Sequence, residues 1–443
     1  MALTTKPPSQ DPNPNQGASE ALTGVDPGGE PRWRVVLVLT MMLIGLYLTA
    51  GPLLRLSEWK VCPENNFNLV EARSWRAGRL DLPATRPHPE MGFGRPWDTA
   101  YRDGKIYNVF PPLFTFVSYA ALTLQEAQGL TGGSATEFYA PWYIALVVFP
   151  LSLLGFWAFR AVTGRSEWAA VMTAYWILGT PLLKMLVNCQ WAGTNELNHV
   201  LSNTGMMLIA GDLLGRRRIW PAALGILLGV WTRQLTILYA AGMIWIVWRL
   251  TAHRWRGLAV VGASVVIGLG ALAALNWAKF GSPMDSGYAS IYVGRDDMYA
   301  RRAREPSVFS IENVPRNLYY MNLNPPGIYL SPMRLQIYGE GDGASIWLTS
   351  PLLVFAFITV PRWWRDPVRR ALMLSSLAVI FCFLCYHTTG SVQRGFHRFS
   401  LDFIPVWLVV IAPYVIQGRR RWITLGCLAY SALYFHVMCA TNP

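Results

Sequence analysis

Three carboxylates in one polar region are candidates for acid–base chemistry. Glu64, Asp98 and Asp103 follow the first apolar run of the chain, within residues 55–137. A carboxylate placed beside a hydroxyl can act as a general base and take its proton. Glu64 is the first candidate because it lies nearest to the apolar run. The alternative for each of the three is a solvated loop carboxylate.

Basic residues at the ends of apolar segments are candidates for binding a phosphate. Arg233 interrupts about 30 mostly apolar residues and would be costly to bury without a partner. An arginine can neutralise a phosphate through two parallel hydrogen bonds, so no cofactor or tightly bound metal is required, and a divalent metal stays open. The further candidates are Lys105, Tyr107, Arg394, His397 and Arg398. Lipid headgroups are the alternative partner for Arg233.

A short polar group precedes a further apolar segment at residues 195–199. Within it, Glu196 and Asn198 are candidates for binding an acceptor molecule. A helix cap is the alternative, because acids and asparagine favour helix N-termini. The cysteines show no spacing typical of zinc or haem, which predicts no metal ligands. Cys62 and Cys189 both lie in polar segments between apolar runs and could form a disulfide.

The composition indicates that helices in a membrane position these residues. Hydrophobic residues make up 53% of the chain and charged residues 14%, whereas a soluble domain usually carries about 25% charge. Residues 257–278 contain no charge over about 22 positions, enough to cross a bilayer of roughly 30 Å. The net charge of +13 lies mostly in short clusters between apolar runs, which argues against a nucleic-acid partner.

The fold class predicted from these runs is an all-α polytopic membrane protein with about eleven transmembrane helices and two large outer loops. The predicted spans are 34–54, 138–159, 167–184, 198–214, 219–234, 235–249, 257–278, 346–360, 371–387, 401–416 and 422–438. Residues 110–124 are apolar but short. If they crossed the bilayer, every later basic cluster would lie outside, against the positive-inside rule. We therefore expect them to lie in the interface, with the N-terminus inside and the C-terminus outside.

The chain divides into six regions on this interpretation. Residues 1–33 are rich in proline, glycine, asparagine and serine, and are predicted to form a disordered cytoplasmic tail. The other regions are a first transmembrane helix (34–54), a first outer loop with juxtamembrane helices (55–137), a helix bundle (138–278), a second outer loop (279–345) and C-terminal transmembrane helices (346–443). Because both large loops face outward, we expect the chemistry on that side.

Several motifs follow one another in a recognisable order. Pro-Glu-Asn-Asn at 63–66 is followed by Glu-Ala at 71–72 and Gly-Arg-Leu-Asp-Leu at 78–82. The later stretches are 103–113 with Pro-Pro-Leu at its end, 225–233, 276–288 and 398–405. In this order the chain resembles the GT-C superfamily of membrane glycosyltransferases, especially the bacterial branch related to protein O-mannosyltransferases and the aminoarabinose transferase of lipid A. The resemblance covers most of the chain after about residue 35.

The resemblance implies a polyprenyl-phosphate-sugar donor and transfer to a glycan, lipid or protein acceptor on the outer face of a bacterial cytoplasmic membrane. It implies that Glu64 is the base or binds the acceptor, and that basic residues hold the donor phosphate. Two positions depart from the family pattern. Asn65 stands where the family has a second acid, and Phe110 where the aminoarabinose branch has a lysine, for which Lys105 is a nearby substitute.

Two other functions compete with the transferase. A transporter or flippase of lipid-linked material would need ion or proton coupling, and few ionisable residues lie deep in the predicted spans. A non-catalytic protein of the same fold would bind a lipid carrier without consuming a sugar donor. The missing second acid favours that alternative, and the motif order favours the transferase.

Overall fold

The structure is a computed structural model. It describes residues 30–54, 60–61, 67–83, 99–129, 138–188, 194–292, 296, 298–331, 334–338, 342–389 and 395–441. Three predicted site residues, Glu64, Asp98 and Arg394, lie outside these ranges, as do most of the predicted tail and both cysteines of the predicted disulfide.

The N-terminal part joins one long helix to small elements that pack beside the bundle. The elements are α1 (Arg32–Leu54), β1 (Lys60–Val61), α2 (Phe67–Arg76), β2 (Thr99–Arg102), β3 (Lys105–Asn108), α3 (Leu113–Ala127) and β4 (Phe138–Tyr139). The short strand β1 pairs antiparallel with β4, and β2 pairs antiparallel with β3. Helix α3 begins directly after Pro111 and Pro112, because proline lacks the N–H that a helix start does not use.

The central part is almost wholly helical. It contains α4 (Ala140–Tyr143), a π-helix (Ile144–Val148), α5 (Phe149–Thr163), α6 (Ser166–Leu178), α7 (Leu182–Asn188), α8 (Thr194–Leu214), α9 (Trp220–Val230), a 3-10 turn (Gln234–Ile237), α10 (Leu238–Leu250) and α11 (Arg254–Phe280). Helices α8 and α9 approach very closely. A Cβ atom at Gly225 would lie 2.5 Å from the carbonyl oxygen of Gly205, so a larger residue would push the two helices apart.

The C-terminal part combines a short-element region with the last helices. Its elements are α12 (Tyr288–Ile291), α13 (Met298–Arg302), a π-helix (Ala303–Ser307), a 3-10 turn (Ile311–Asn313), α14 (Val314–Asn322), β5 (Gly327–Ser331), β6 (Arg334–Tyr338), α15 (Ile346–Thr349), a 3-10 turn (Pro351–Val354), α16 (Phe355–Ile358), α17 (Val360–Trp363), α18 (Pro367–Cys385), a 3-10 turn (Arg398–Asp402), α19 (Ile404–Val415) and α20 (Arg420–Thr441). Strands β5 and β6 form an antiparallel hairpin.

Helix α19 is the centre of the bundle. Its residues from Ile404 to Ala412 are all buried, and it packs against α5, α8, α18 and α20. A helix that is apolar on every side is stable only when neighbours surround it. The four surrounding helices therefore place the start of α19 at the centre of one end of the bundle.

The prediction of a helical membrane protein is confirmed. Among the described residues, five helices are long and apolar enough to cross a membrane, namely Arg32–Leu53, Ile144–Thr163, Arg254–Phe280, Pro367–Cys385 and Arg420–Thr441. Shorter apolar helices lie at Trp220–Val230, Gln234–Leu250 and Ile404–Val415. The number of eleven spans stays a prediction. The span predicted at 346–360 is a series of short helices, because Pro351 and Pro361 interrupt the backbone hydrogen bonding.

Candidate functional site

A cavity of about 230 Å³ opens at the end of the bundle where α19 begins. Most of its lining is apolar or aromatic, and the polar members are few. The lining residues are Phe110, Pro111, Asn198, Thr232, Arg233, Gln234, Leu235, Ser286, Tyr288, Val308, Phe309, Phe383, Tyr386 and Phe399. A concave apolar site with a small number of convergent polar groups is the usual form of a ligand-binding pocket.

Arg233 is the charged side chain in the described lining of the cavity. Its Nε donates a hydrogen bond to Oδ2 of Asp402 at 2.9 Å. Its guanidinium carbon lies 5.6 Å from the ring centre of Phe383 and 5.0 Å from that of Phe399. Within the described part of the chain, its two terminal nitrogens have no hydrogen-bond partner, and 19% of the side chain is exposed. The Nε side of the guanidinium is thus fixed, while the terminal N–H donors remain for a ligand.

Asp402 is held by α8 and α10, and α18 supports the α10 contact. Its carboxylate is 2% exposed, and its Oδ1 accepts a hydrogen bond from Ser202 of α8 at 3.3 Å. His199 Nδ1, also on α8, lies 3.7 Å from the same oxygen. The hydroxyl of Tyr239 on α10 donates to the backbone oxygen of Asp402 at 3.0 Å and lies 3.1 Å from Ser376 Oγ on α18. These contacts fix the carboxylate, and through it the orientation of Arg233.

The aromatic wall at the end of α18 is fixed by the segment around α14. The last carbonyl groups of a helix have no partners within the helix. Here Asn317 Nδ2 donates to the carbonyl oxygens of Leu384 at 2.9 Å and Tyr386 at 2.7 Å. Arg316 donates to the carbonyl oxygen of His387 at 2.6 Å. The side chains of α14 and the turn before it therefore set the backbone that presents two of the cavity's aromatic residues.

The opposite wall, formed by Phe110 and Pro111, is fixed by a buried polar network. Asn108 Oδ1 accepts a hydrogen bond from the Phe110 backbone N–H at 3.1 Å. Its Nδ2 donates to Glu71 Oε2 at 2.8 Å and to Asn68 Oδ1 at 2.6 Å. Lys279, at the end of α11, forms an ion pair with Glu71 and donates to the Asn108 carbonyl oxygen at 2.9 Å. Three segments distant in sequence, α2, the end of β3 and the end of α11, thus hold this wall.

The same wall is connected to the arginine. The backbone N–H of Leu113, the first residue of α3, donates to the carbonyl oxygen of Trp231 at 2.9 Å. Trp231 is two positions before Arg233, whose own N–H donates to the Gly229 carbonyl oxygen at 2.7 Å. A displacement of the Phe110–Pro111 wall would therefore be transmitted to the backbone that carries Arg233.

Of the predicted site residues, Arg233 and Asn198 both line the cavity. Glu196 and Arg398 lie in the same part of the fold and face each other, with Oε1 3.8 Å from a terminal nitrogen of Arg398. His397 is buried beside them, and burial together with the neighbouring Arg398 lowers the pKa of His397 to about 4. A phosphate at neutral pH would therefore meet His397 in its uncharged form.

The three predicted residues of the first outer loop that the structure describes, Asp103, Lys105 and Tyr107, lie away from the cavity lining. Asp103 and Gly104 form the two-residue turn between β2 and β3, with φ values of 50° and 77°, and the Asp103 side chain is 92% exposed. Lys105 is exposed at the start of β3. Tyr107 is buried against the ring of Phe280, with ring centres 5.5 Å apart. None of these three side chains belongs to the described lining of the cavity.

Three residues that organise the site were not singled out as site residues from the sequence, namely Asp402, Glu71 and Lys279. Asp402 directly precedes the wholly apolar helix α19, and a carboxylate at such a boundary is a signal for a buried partner. Glu71 lies on the buried side of α2, as do Asn68, three positions earlier, and Ala72, one position later. No group of three or more His, Cys, Asp or Glu side chains that could hold a metal occurs in the described ranges.

Comparisons with known proteins give structural similarity alone. No protein-family model and no curated protein matches the chain. The apo oligosaccharyltransferase of Archaeoglobus fulgidus is similar with 13% identity and a TM-score of 0.49, over 93% of this chain and 56% of that chain. ArnT from Cupriavidus metallidurans, bound to undecaprenyl phosphate, is similar with 15% identity and a TM-score of 0.41, over 91% of this chain and 61% of that chain.

Both of these proteins are similar with TM-scores below 0.5 and identities of 13% and 15%. The chain spans 56% and 61% of their lengths. The likeness concerns the overall arrangement of the chain, and its identity is too low to assign a substrate or a residue role. The function must therefore be argued from the cavity itself.

Proposed function

We propose that the protein is a membrane glycosyltransferase that takes a sugar from a polyprenyl-phosphate donor and transfers it to an acceptor on the outer face of the membrane. The proposal rests on the guanidinium of Arg233, of which only the Nε–H has a hydrogen-bond partner among the described residues. One of its edges is fixed by Asp402, and its terminal N–H donors face a largely apolar cavity. An anionic group attached to an apolar chain fits such a cavity.

The chemistry of the lining supports a lipid phosphate rather than a free anion. The guanidinium lies over the rings of Phe383 and Phe399, which shield it from bulk water. Hydrogen bonds and charge interactions strengthen where water is excluded. Since Asp402 already offsets the charge of Arg233, a ligand must also gain from apolar contact, as a polyprenyl chain would against Phe110, Phe309 and their neighbours.

The reaction requires a base, a stabilised leaving group and close alignment. The acceptor hydroxyl oxygen forms a bond to the anomeric carbon while the bond from that carbon to the phosphate oxygen breaks. The hydroxyl proton passes to the base, and polyprenyl phosphate leaves with both electrons of the broken bond. Fixed N–H donors stabilise the developing phosphate charge without reorganising, which is the role we assign to Arg233.

The remaining roles follow the sequence predictions. Glu64 is the proposed base, with Asp98 as the alternative, and Arg394 is a second proposed phosphate ligand; all three lie outside the described residues. Glu196 and Arg398 form an ion pair near the cavity and are proposed to border the acceptor site. The proposed location is the cytoplasmic membrane of a bacterium, with no cofactor required.

The test is release of undecaprenyl phosphate by the purified protein, incubated with a panel of undecaprenyl-phosphate sugars and membrane extract. We expect release by the wild type and its loss in Arg233→Gln and Glu64→Gln. Arg249→Gln is the matched control, because it removes an arginine from the exposed far end of the same helical segment, Gln234–Leu250. All variants must insert into the membrane and unfold cooperatively.

The outcomes separate the competing functions. Release that persists in Arg233→Gln would contradict the phosphate role of that residue. Binding of undecaprenyl phosphate without any release would replace the transferase with a carrier-binding protein. Movement of a lipid-linked sugar across liposomes without chemical change would favour a transporter.

A further inference from the structure

Asn198 is a buried amide whose polar atoms are unpaired within the described part of the chain. It lies in the second turn of α8, it is 2% exposed, and it lines the cavity that contains Arg233. Neither its Oδ1 nor its Nδ2 has a hydrogen-bond partner among the described residues. Burying an amide without partners is unfavourable, and native proteins keep such groups mainly where another molecule pairs with them.

A second asparagine on the same helix shows the usual arrangement. Asn203 is fully buried, yet its Oδ1 accepts a hydrogen bond from Trp176 Nε1 at 3.1 Å. Its Nδ2 donates to the backbone oxygen of His199 at 2.6 Å. Both residues are asparagines on α8 and both are buried. Among the described residues, only the amide of Asn203 has hydrogen-bond partners.

The amide limits the chemistry of the group that pairs with it. Its oxygen needs a donor and its NH2 group needs an acceptor. A phosphate oxygen accepts only, and a polyprenyl chain does neither. A hydroxyl both donates and accepts, and a pair of neighbouring hydroxyls can satisfy both atoms of the amide together. A sugar is therefore the ligand group that fits Asn198.

We infer that Asn198 binds a hydroxyl group of the donor sugar and so selects which sugar is transferred. This inference rests on the proposed function, since it places the sugar beside the phosphate bound at Arg233. In a polyprenyl-phosphate sugar the two groups are directly bonded, so both fit within one cavity of about 230 Å³. Arg233 then recognises the part that all such donors share, and Asn198 the part that differs.

The experiment compares Asn198→Leu with Asn203→Leu in thermal unfolding of the ligand-free protein. Leucine removes the unpaired amide at position 198, so we expect a higher Tm. At position 203 leucine leaves the indole N–H of Trp176 unpaired, so we expect a lower Tm. A lower Tm for Asn198→Leu would show that the protein itself satisfies this amide, and would overturn the inference.

Ligand measurements on the same variants separate the sugar from the phosphate. Undecaprenyl phosphate, which has no sugar, should raise the Tm of Asn198→Leu as much as that of the wild type. Release of undecaprenyl phosphate from the sugar donors should fall about tenfold to a hundredfold, the value of one or two lost hydrogen bonds. Asn198→Ala should show the same loss if leucine is too large for the cavity.

Three results would contradict the inference or its premise. Wild-type release rates in both Asn198 variants would show that the amide does not contact the donor. Loss of the Tm increase by undecaprenyl phosphate in Asn198→Leu would place the amide on the phosphate instead. Absence of release by the wild type would reject the proposed function, and the sign of the Tm change would still show whether the amide is unpaired.

Discussion

Two of the buried ion pairs in the described part of the chain look alike in composition and differ in what surrounds them. In the first, Glu71 and Lys279 have side-chain exposures of 0% and 2%, and Asn108 and Thr115 occupy the remaining oxygen of the carboxylate. In the second, Asp402 is equally buried, but Arg233 is 19% exposed to a cavity. We refer to them as the closed pair and the open pair.

The difference indicates two roles for buried charge. Both carboxylate oxygens and two of the three Lys279 N–H donors of the closed pair are used by the protein, and neither residue belongs to the described cavity lining, so this pair can position the Phe110–Pro111 wall but does not face a ligand. The open pair uses one edge of the guanidinium for orientation and keeps the other for a ligand. A buried ion pair often adds little net stability to the folded protein. The closed pair is therefore better explained by positioning the wall, and the open pair by binding a ligand.

The largest effect is expected in the closed pair. Lys279→Met leaves the Glu71 carboxylate buried without its cation, which should lower the free energy of unfolding by about 3–5 kcal/mol. The double variant Glu71→Gln/Lys279→Met removes both charges and should regain most of this loss. Denaturant unfolding in detergent measures both. If Lys279→Met were as stable as the wild type, the Glu71 carboxylate would not depend on Lys279 as its buried partner.

The second prediction concerns the aromatic wall of the cavity at the end of α18. Asn317→Leu leaves the carbonyl oxygens of Leu384 and Tyr386 without their donor, which should cost about 1–3 kcal/mol of stability. Because Tyr386 lines the cavity, affinity for undecaprenyl phosphate should also fall. Leu318→Ala is the control on the same helix, since the Leu318 side chain is exposed and is not part of the described lining of the cavity. Equal losses in both variants would argue against a role in shaping the cavity.

The open pair should respond in binding more than in stability. In Arg233→Lys, a single ammonium group cannot both donate to Asp402 and offer two parallel donors to a phosphate. We expect affinity for undecaprenyl phosphate to fall about tenfold, with a Tm near that of the wild type. Titration with undecaprenyl phosphate in nanodiscs measures this, with Arg249→Lys as the control. Unchanged affinity would mean that the open edge of Arg233 does not meet the ligand.

The smallest effect is expected at His397. Burial lowers its pKa to about 4, so it is neutral at pH 7, and His397→Gln should change phosphate affinity less than about twofold. Because the unfolded chain binds this proton near pH 6.5, the folded state loses stability as the pH falls from about 6.5 to about 4. His397→Gln should lose less over that range, as Tm measurements at pH 7 and pH 4.5 would show. A larger pH dependence in the variant would contradict the assignment.

Much of the residue composition of the site could be predicted from the sequence, but little could be predicted of which side chains contact each other. Arg233 and Asn198 stand out in the sequence because each is a polar residue beside an apolar run, and both line the cavity. Asp103 was a plausible base by residue type alone, yet its position in a two-residue turn places it on an exposed hairpin. Residue type indicates what a side chain can do, and the surrounding chain decides whether it is placed to do it.

The sequence by itself determined the helices and their membrane character, because the length of an apolar run and the position of a proline are local properties. Only the tertiary structure decided which charges meet. Glu71 and Lys279 are 208 positions apart, and Arg233 and Asp402 are 169 apart. Such pairs depend on the packing of segments distant in sequence, as where the 3-10 turn that contains Asp402 and the following helix α19 pack against α8. For the same reason, only the packed structure shows that, among the described residues, the amide of Asn198 has no partner while that of Asn203 is satisfied.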